Sequence, residues 1–201
     1  MKILQAKNKK IASREISSEI IYSVKHNPSL VLGVATGKTM IPVYKTLIKM
    51  SKQHQVDWSK VKFFMIDEYI ENKKFNSYLE KLLFKPLKIK ENQINRIGKN
   101  NSPSQYERKI KNAGYFDLLL LGVGKNGHIA FNEPGSSKTS KTRVVSLTIK
   151  TKKINRTKTK KAITIGISDI LKSRRIILAA FGKSKSDIIK KTISCNSCEE
   201  I

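Results

Sequence analysis

Short apolar runs alternate with amphipathic segments along most of this 201-residue chain, and that alternation predicts an α/β fold with a mainly parallel sheet. Three observations carry the prediction. The apolar runs are roughly six residues long, the length of buried strands rather than helices. Glycine, proline or small polar residues punctuate them. The unusual polar clusters, residues 36–39, 67–68, 122–133 and 182–185, each follow an apolar run, which is where ligands bind in open sheets of this kind. The expectation is a three-layer, Rossmann-like, doubly wound sheet with helices on both faces, formed by residues 1–201 as a single domain.

Ile11, Ile16, Ile20, Ile21 and Val24 recur at helical spacing, predicting a helix over 11–25. Pro28-Ser29 then marks the start of a strand over 30–35. Thr36-Gly37-Lys38-Thr39 is a turn, and Val43, Tyr44, Leu47 and Ile48 predict a helix over 40–52, with Pro42 in its first turn. A second strand covers 61–66 and ends at Asp67-Glu68. Helices are expected over 77–87 and 103–112, strands over 116–121 and 143–148. Strands at 162–166 and 175–181 flank a helix near 168–172, and a last helix spans 183–193. The Lys/Thr-rich piece 150–161 reads as a mobile loop.

Forty-one basic residues against fifteen acidic give a net charge of +26. Lysines dominate and are scattered, without the arginine and aromatic interleaving that base reading needs, so no specific nucleic-acid partner is expected. The composition matches an AT-rich coding sequence, and non-specific attraction of polyanions at low salt follows from the charge alone. No apolar run reaches about 18 residues, so no membrane span is expected. The N-terminus lacks the apolar core of a signal peptide, which predicts a cytoplasmic protein. Cys195 and Cys198 supply only half of a four-ligand zinc site, with no histidine near, so no metal is expected.

Gly33 to Thr39 resembles a nucleotide P-loop but has three residues between its glycines where that motif needs four, which argues against an NTPase. Strand, glycine turn and helix N-terminus make either an ordinary strand–helix turn or a site that favours an anion on the amides of Thr36, Gly37, Lys38 and Thr39. Asp67 and Glu68 alternate sides, so only one can face a given pocket. Such an acid is either a helix cap or a general base at the sheet edge. In Gly122-Val123-Gly124-Lys125-Asn126-Gly127-His128-Ile129-Ala130-Phe131-Asn132-Glu133-Pro134-Gly135, His128 and Glu133 either form a satisfied pair or serve proton transfer, the carboxylate orienting the imidazole.

The runs Val34 to Thr39, Phe63 to Tyr69 and Gly127 to Ser137 resemble glucosamine-6-phosphate deaminases, in the same order and over nearly the whole chain. Residues 162–167 and 182–185 fit the same pattern. Sugar-lactone hydrolases of the 6-phosphogluconolactonase type share the Gly-His turn but resemble the chain less after it. The resemblance implies conversion of glucosamine 6-phosphate and water to fructose 6-phosphate and ammonia, without metal or organic cofactor. It implies that His128 moves the ring-opening proton with Glu133 orienting it. Asp67 would carry a proton from C2 to C1, and Asn126 would hold His128 or its loop. Phosphate would sit on residues 36–39 with Lys185 as countercharge. A phosphosugar is thus the expected partner, and a homo-oligomer is compatible with that expectation.

Two departures bear on these expectations. Thr157 stands where the resemblance implies a phosphate-binding arginine, beside Arg156 and Lys158. Ser136 and Arg143 match the second phosphosugar pocket of regulated relatives, but Val145 replaces a lysine and the chain ends at Ile201 before a terminal aromatic, so activation by N-acetylglucosamine 6-phosphate is not expected. The alternatives are a 6-phosphogluconolactonase-type hydrolase and a catalytically silent, basic protein that binds sugar phosphate or nucleic acid.

Overall fold

A computed structural model describes residues 2–72, 74–98, 101–149, 151–152 and 157–194. Strands β1 (Val31–Val34), β2 (Lys62–Met65), β4 (Ile94–Asn95), β5 (Leu118–Gly122) and β8 (Ile176–Ala179) form a parallel sheet in the order β4-β2-β1-β5-β8. All four residues of β1 are buried. Successive strand side chains point to opposite faces, so both faces are covered. Gly33 suits β1, because a Cβ there would lie 2.4 Å from Leu119 Cδ1 on β5 and force that buried side chain to move.

Helices α1 (Lys9–His26), α2 (Met40–Gln53) and α4 (Pro103–Asn112) supply Ile20, Ile21, Val24, Val43, Tyr44, Leu47, Tyr106 and Ile110 to the same core as the strands. α1 begins where Asn8 Oδ1 accepts the N–H groups of Lys10 and Ile11. α4 begins at Ser102 with a reciprocal Ser102–Gln105 capping box and Pro103 in its first turn. None of the described helices is long and apolar enough to cross a membrane.

The sequence does not announce the second sheet. Strands β3 (Asp67–Tyr69), β7 (Lys161–Thr164) and β6 (Arg143–Ser146) pair antiparallel in the order β3-β7-β6, apart from the parallel sheet. Asp67 and Glu68 therefore open a new strand instead of ending β2, after a one-residue break at Ile66. A hydrogen bond from Ile165 N–H to Ile66 O, 2.9 Å, holds that crossing. A small cluster of buried Tyr69, Phe131, Leu147 and Ala162 packs on the sheet, with the Tyr69 and Phe131 rings 5.3 Å apart.

Helix α3 (Lys74–Leu79) starts earlier than its apolar spacing suggests, and Glu68 is the reason. The Glu68 carboxylate accepts N–H groups from Tyr69 (2.8 Å), Phe75 (3.0 Å) and Asn76 (2.6 Å). The helix then widens into a π turn over Glu80–Phe84, closed by Lys85 N–H on Glu80 O. Replacing Glu68 by alanine strips a buried carboxylate from three amides, so a loss of about 3 kcal/mol is expected in urea unfolding. Helix α5 (Ile167–Leu171) precedes β8, and a 3-10 turn at Lys183–Lys185 leads into α6 (Ser186–Ser194). Thr151 and Thr159, in the piece read as a mobile loop, are buried.

Candidate active site

β1 is the branch point of the parallel sheet. The chain leaves it toward β2 and β4 on one side, while β5 and β8 lie on the other. The turn after β1 and the turn after β5 therefore open a crevice at the carboxyl ends of neighbouring strands.

Asp67 is 7% exposed, and its Oδ1 has no hydrogen-bond partner among the described residues. Burial, with a smaller contribution from the neighbouring Glu68 charge, pushes its carboxyl up to about 8. A partnerless buried carboxylate oxygen costs stability, so its retention points to chemistry. The adjacent acids thus differ in their partners. Glu68 caps α3, and Asp67 remains without such partners. Tyr44 lies close by, with Tyr78 beside it. Burial, Tyr78 and Asp67 together raise the Tyr44 hydroxyl well above its ordinary range. Tyr78 donates to Gly37 O at 2.6 Å, tying α3 to the turn after β1.

The glycine-rich turn after β5 closes on itself, with Gly124 N–H donating to His128 O at 2.7 Å. Gly124 lies directly against the imidazole, since a Cβ there would sit 2.2 Å from His128 Nδ1. Gly124→Ala must displace the ring, and a loss of about 100-fold in turnover with little change in fold is expected, checked by activity beside circular dichroism. Ala130 adopts a left-handed φ of 51°, local strain in the same turn.

His128 and Glu133 do not meet directly. Their Nδ1 and Oε2 are 3.9 Å apart, and Asn126 bridges them. Its Oδ1 lies 2.7 Å from His128 Nδ1, and its Nδ2 donates to Glu133 Oε2 at 2.7 Å. The direct orientation of His128 by Glu133 expected from the sequence is therefore replaced by an indirect one. The arrangement also sets the tautomer. An ionised carboxylate only accepts, so the amide turns its N–H₂ to Glu133 and its oxygen to His128. Nδ1 then carries the proton, leaving Nε2 free to accept. Burial lowers the His128 pKa, Glu133 opposes that, and Lys185 adds to it. Neutral imidazole is favoured.

Both halves of the site hang on one pair of residues. Asp67 is the register partner of Thr164. Phe131 N–H donates to Thr164 Oγ1 at 3.2 Å, and Asn132 Nδ2 donates to Ile165 O at 2.9 Å. The second sheet is thus the frame that sets Asp67 beside the His128 turn.

Thr36, Gly37, Lys38 and Thr39 form the turn into α2, with Gly37 at φ 103° and no side-chain cap from Thr39. Lys185 lies near both His128 and Lys125. Burial and then the Lys125 charge lower its pKa. The sequence reading passed over the cation Lys125, and also Tyr44 as a neighbour of Asp67. Nothing in spacing alone singles them out. Thr157 is half-buried and bonds to Lys152 O through its N–H, while Arg156, Cys195 and Cys198 lie outside the described residues. Among the described residues, no three His, Cys, Asp or Glu side chains gather into a metal-binding group.

Comparison with known proteins agrees with this architecture. A glucosamine-6-phosphate deaminase of a Thermoanaerobacter species is 37% identical over 210 residues, covering 96% of this chain and 83% of that protein. The structure of a monomeric glucosamine-6-phosphate deaminase superposes with a TM-score of 0.93 at 30% identity, over 98% of this chain and 88% of the other. The 6-phosphogluconolactonase of Thermotoga maritima shares the fold at a TM-score of 0.74, with 19% identity over 94% of this chain and 87% of that one. The family model of glucosamine-6-phosphate isomerases and 6-phosphogluconolactonases matches residues 6–200. With its sheet order, its two site turns and its sequence all pointing the same way, the chain belongs to that family.

Proposed function

We propose that this protein deaminates glucosamine 6-phosphate with isomerisation, giving fructose 6-phosphate and ammonia. The observation that carries the reading is the buried Asp67 carboxylate, one oxygen unpartnered among the described residues, framed by β7 beside the His128 turn. The reaction needs proton movements at oxygen and between carbons. Free Nε2 of His128 takes the proton from the C1 hydroxyl and returns it to the ring oxygen, opening the pyranose. Asp67 then removes the C2 proton from the open chain while the protonated amino group passes a proton to the C1 oxygen, and the carboxyl delivers the carbon-bound proton to C1. The double bond moves to C2–N, and water adds there as ammonia leaves. A carboxyl pushed up to about 8 suits a group that must accept a proton from carbon and then give it back.

The phosphate is assigned to the amides of residues 36–39, the exposed N-terminus of α2, with Lys185 and Lys125 as countercharges. The relatives are metabolic enzymes, and a cytoplasmic setting fits this role.

Lactone hydrolysis on the same fold needs a base for water but no group to shuttle a proton between carbons, so it leaves the sequestered Asp67 without a task. Purified protein is given glucosamine 6-phosphate in one assay and 6-phosphogluconolactone in another. Ammonia release in the first, with no faster lactone loss than the buffer control in the second, is the expected outcome. Lactone hydrolysis without ammonia would replace this reading with the lactonase, and binding without either reaction would leave a silent phosphosugar binder.

A further inference from the structure

Glu133 has two carboxylate oxygens, and Asn126 occupies only one. Oε1 accepts a hydrogen bond from Thr151 Oγ1 at 2.6 Å, a contact between residues 18 positions apart. Thr151 is 5% exposed, although it lies in the lysine- and threonine-rich segment after β6. Its own hydroxyl is held in turn. Thr148 Oγ1 donates to Thr151 Oγ1 at 3.0 Å and accepts Thr151 N–H at 3.0 Å. The chain of bonds therefore has one direction throughout. Thr148 donates to Thr151, which donates to Glu133; from the other end, His128 donates to Asn126, which donates to Glu133. The carboxylate is the common sink. We propose that Thr151 is a positioning residue of the reaction, holding Glu133 Oε1 so that Oε2 stays on Asn126 and His128 keeps its proton on Nδ1.

The geometry shows what the hydroxyl prevents. Glu133 Oε2 is already 3.9 Å from His128 Nδ1, and its side chain is about a third exposed. A carboxylate released from Thr151 is free to leave Asn126 and take the imidazole directly. That contact favours imidazolium, which cannot accept a proton at Nε2. The charged groups facing His128 are Glu133 and Lys185, with Lys125 acting on Lys185. Thr151 carries no charge and bonds Glu133 directly, so its effect on His128 passes through Glu133.

This inference rests on the role of His128 in the proposed deamination, and one readout is independent of it. The chain has three histidines, His26, His54 and His128, so the His128 ring can be followed by NMR titration in protein without substrate. Thr151→Val keeps the shape and removes the donor. It is expected to raise the His128 pKa, and Thr151→Ser, which restores the hydroxyl, is expected to return it to the wild-type value. In turnover of glucosamine 6-phosphate, Thr151→Val is expected to lower kcat about tenfold with KM little changed, the factor of one hydrogen bond to a charged group, and Thr151→Ser to recover most of it. If the valine variant does not fold, Thr151→Ala carries the same measurements. An unchanged His128 titration in the variant lacking the hydroxyl, or a serine variant no better than valine, overturns the proposal. A shifted titration in a protein that releases no ammonia retains the Thr151 linkage and rejects the deaminase reading instead.

Discussion

Asp67→Asn is expected to abolish deamination, with kcat falling about 10³-fold or more, while phosphosugar binding persists. An amide has the size of the acid but cannot take a proton from C2. The groups assigned to the phosphate, residues 36–39 and Lys185, are untouched by the change. The substitution should also make the protein more stable, and the sign follows from linkage. The folded-state carboxyl titrates at about 8, above its ordinary 3.8. A raised acid contributes stability that is present below about pH 4 and is lost as pH rises through about 8. Asparagine mimics the protonated form at every pH. The variant should therefore gain on wild type between about pH 4 and pH 8, by a few kcal/mol at the upper end. Urea unfolding at several pH values checks this, beside the steady-state rates. A variant that turns over like wild type would remove Asp67 from the mechanism. The same titration predicts that kcat/KM of wild type rises with pH through about 8, as the base of the free enzyme ionises.

Glu133→Gln produces the second large effect, and its pattern matters more than its size. Glutamine can still accept one hydrogen bond, but it presents a donor to either Asn126 or Thr151. One of the two contacts at 2.7 and 2.6 Å must then break or reverse its direction. If Asn126 turns over, its amino group faces His128 Nδ1, and the imidazole moves its proton to Nε2. Ring opening loses its acceptor. About 100-fold loss is expected from the closed pyranose, and much less from a substrate supplied in open-chain form, where only the Asp67 step remains. Equal losses on both substrates would assign Glu133 a general structural role in the turn.

The sequence made some of this legible and hid the rest for physical reasons. β1, β2 and β5 are continuous apolar runs because both faces of each are buried, and such runs stand out against any background. The turns after β1 and β5 are equally visible, since glycines are needed where amides must be exposed or a ring must lie on the backbone. β3 is three residues, Asp-Glu-Tyr, with no hydrophobic period at all. Its existence depends on pairing with β7 nearly a hundred residues later, and no local pattern records that. β6 and β7 were legible as strands but not as members of a separate antiparallel sheet, for the same reason. At Asp67 and Glu68 the sequence offered a base or a cap, and alternation said only that the two differ. It took the α3 amides to show that Glu68 caps the helix. The resemblance put Asn126 at His128, but its link on to Glu133 and the Thr151 contact were out of reach because hydrogen bonds between side chains depend on sub-ångström placement, and threonine in a lysine-rich segment carries no signal of burial.

The central claim is that one carboxylate moves one proton between neighbouring carbons of the opened sugar. The most direct test converts glucosamine 6-phosphate in deuterated water and reads C1 of the fructose 6-phosphate product by NMR. Wild type is predicted to release ammonia and to place hydrogen at C1 stereospecifically, with deuterium content below that of the solvent because the proton removed from C2 is partly returned. Product carrying full, unselective deuterium at C1, or the same transfer catalysed undiminished by Asp67→Asn, would contradict the account.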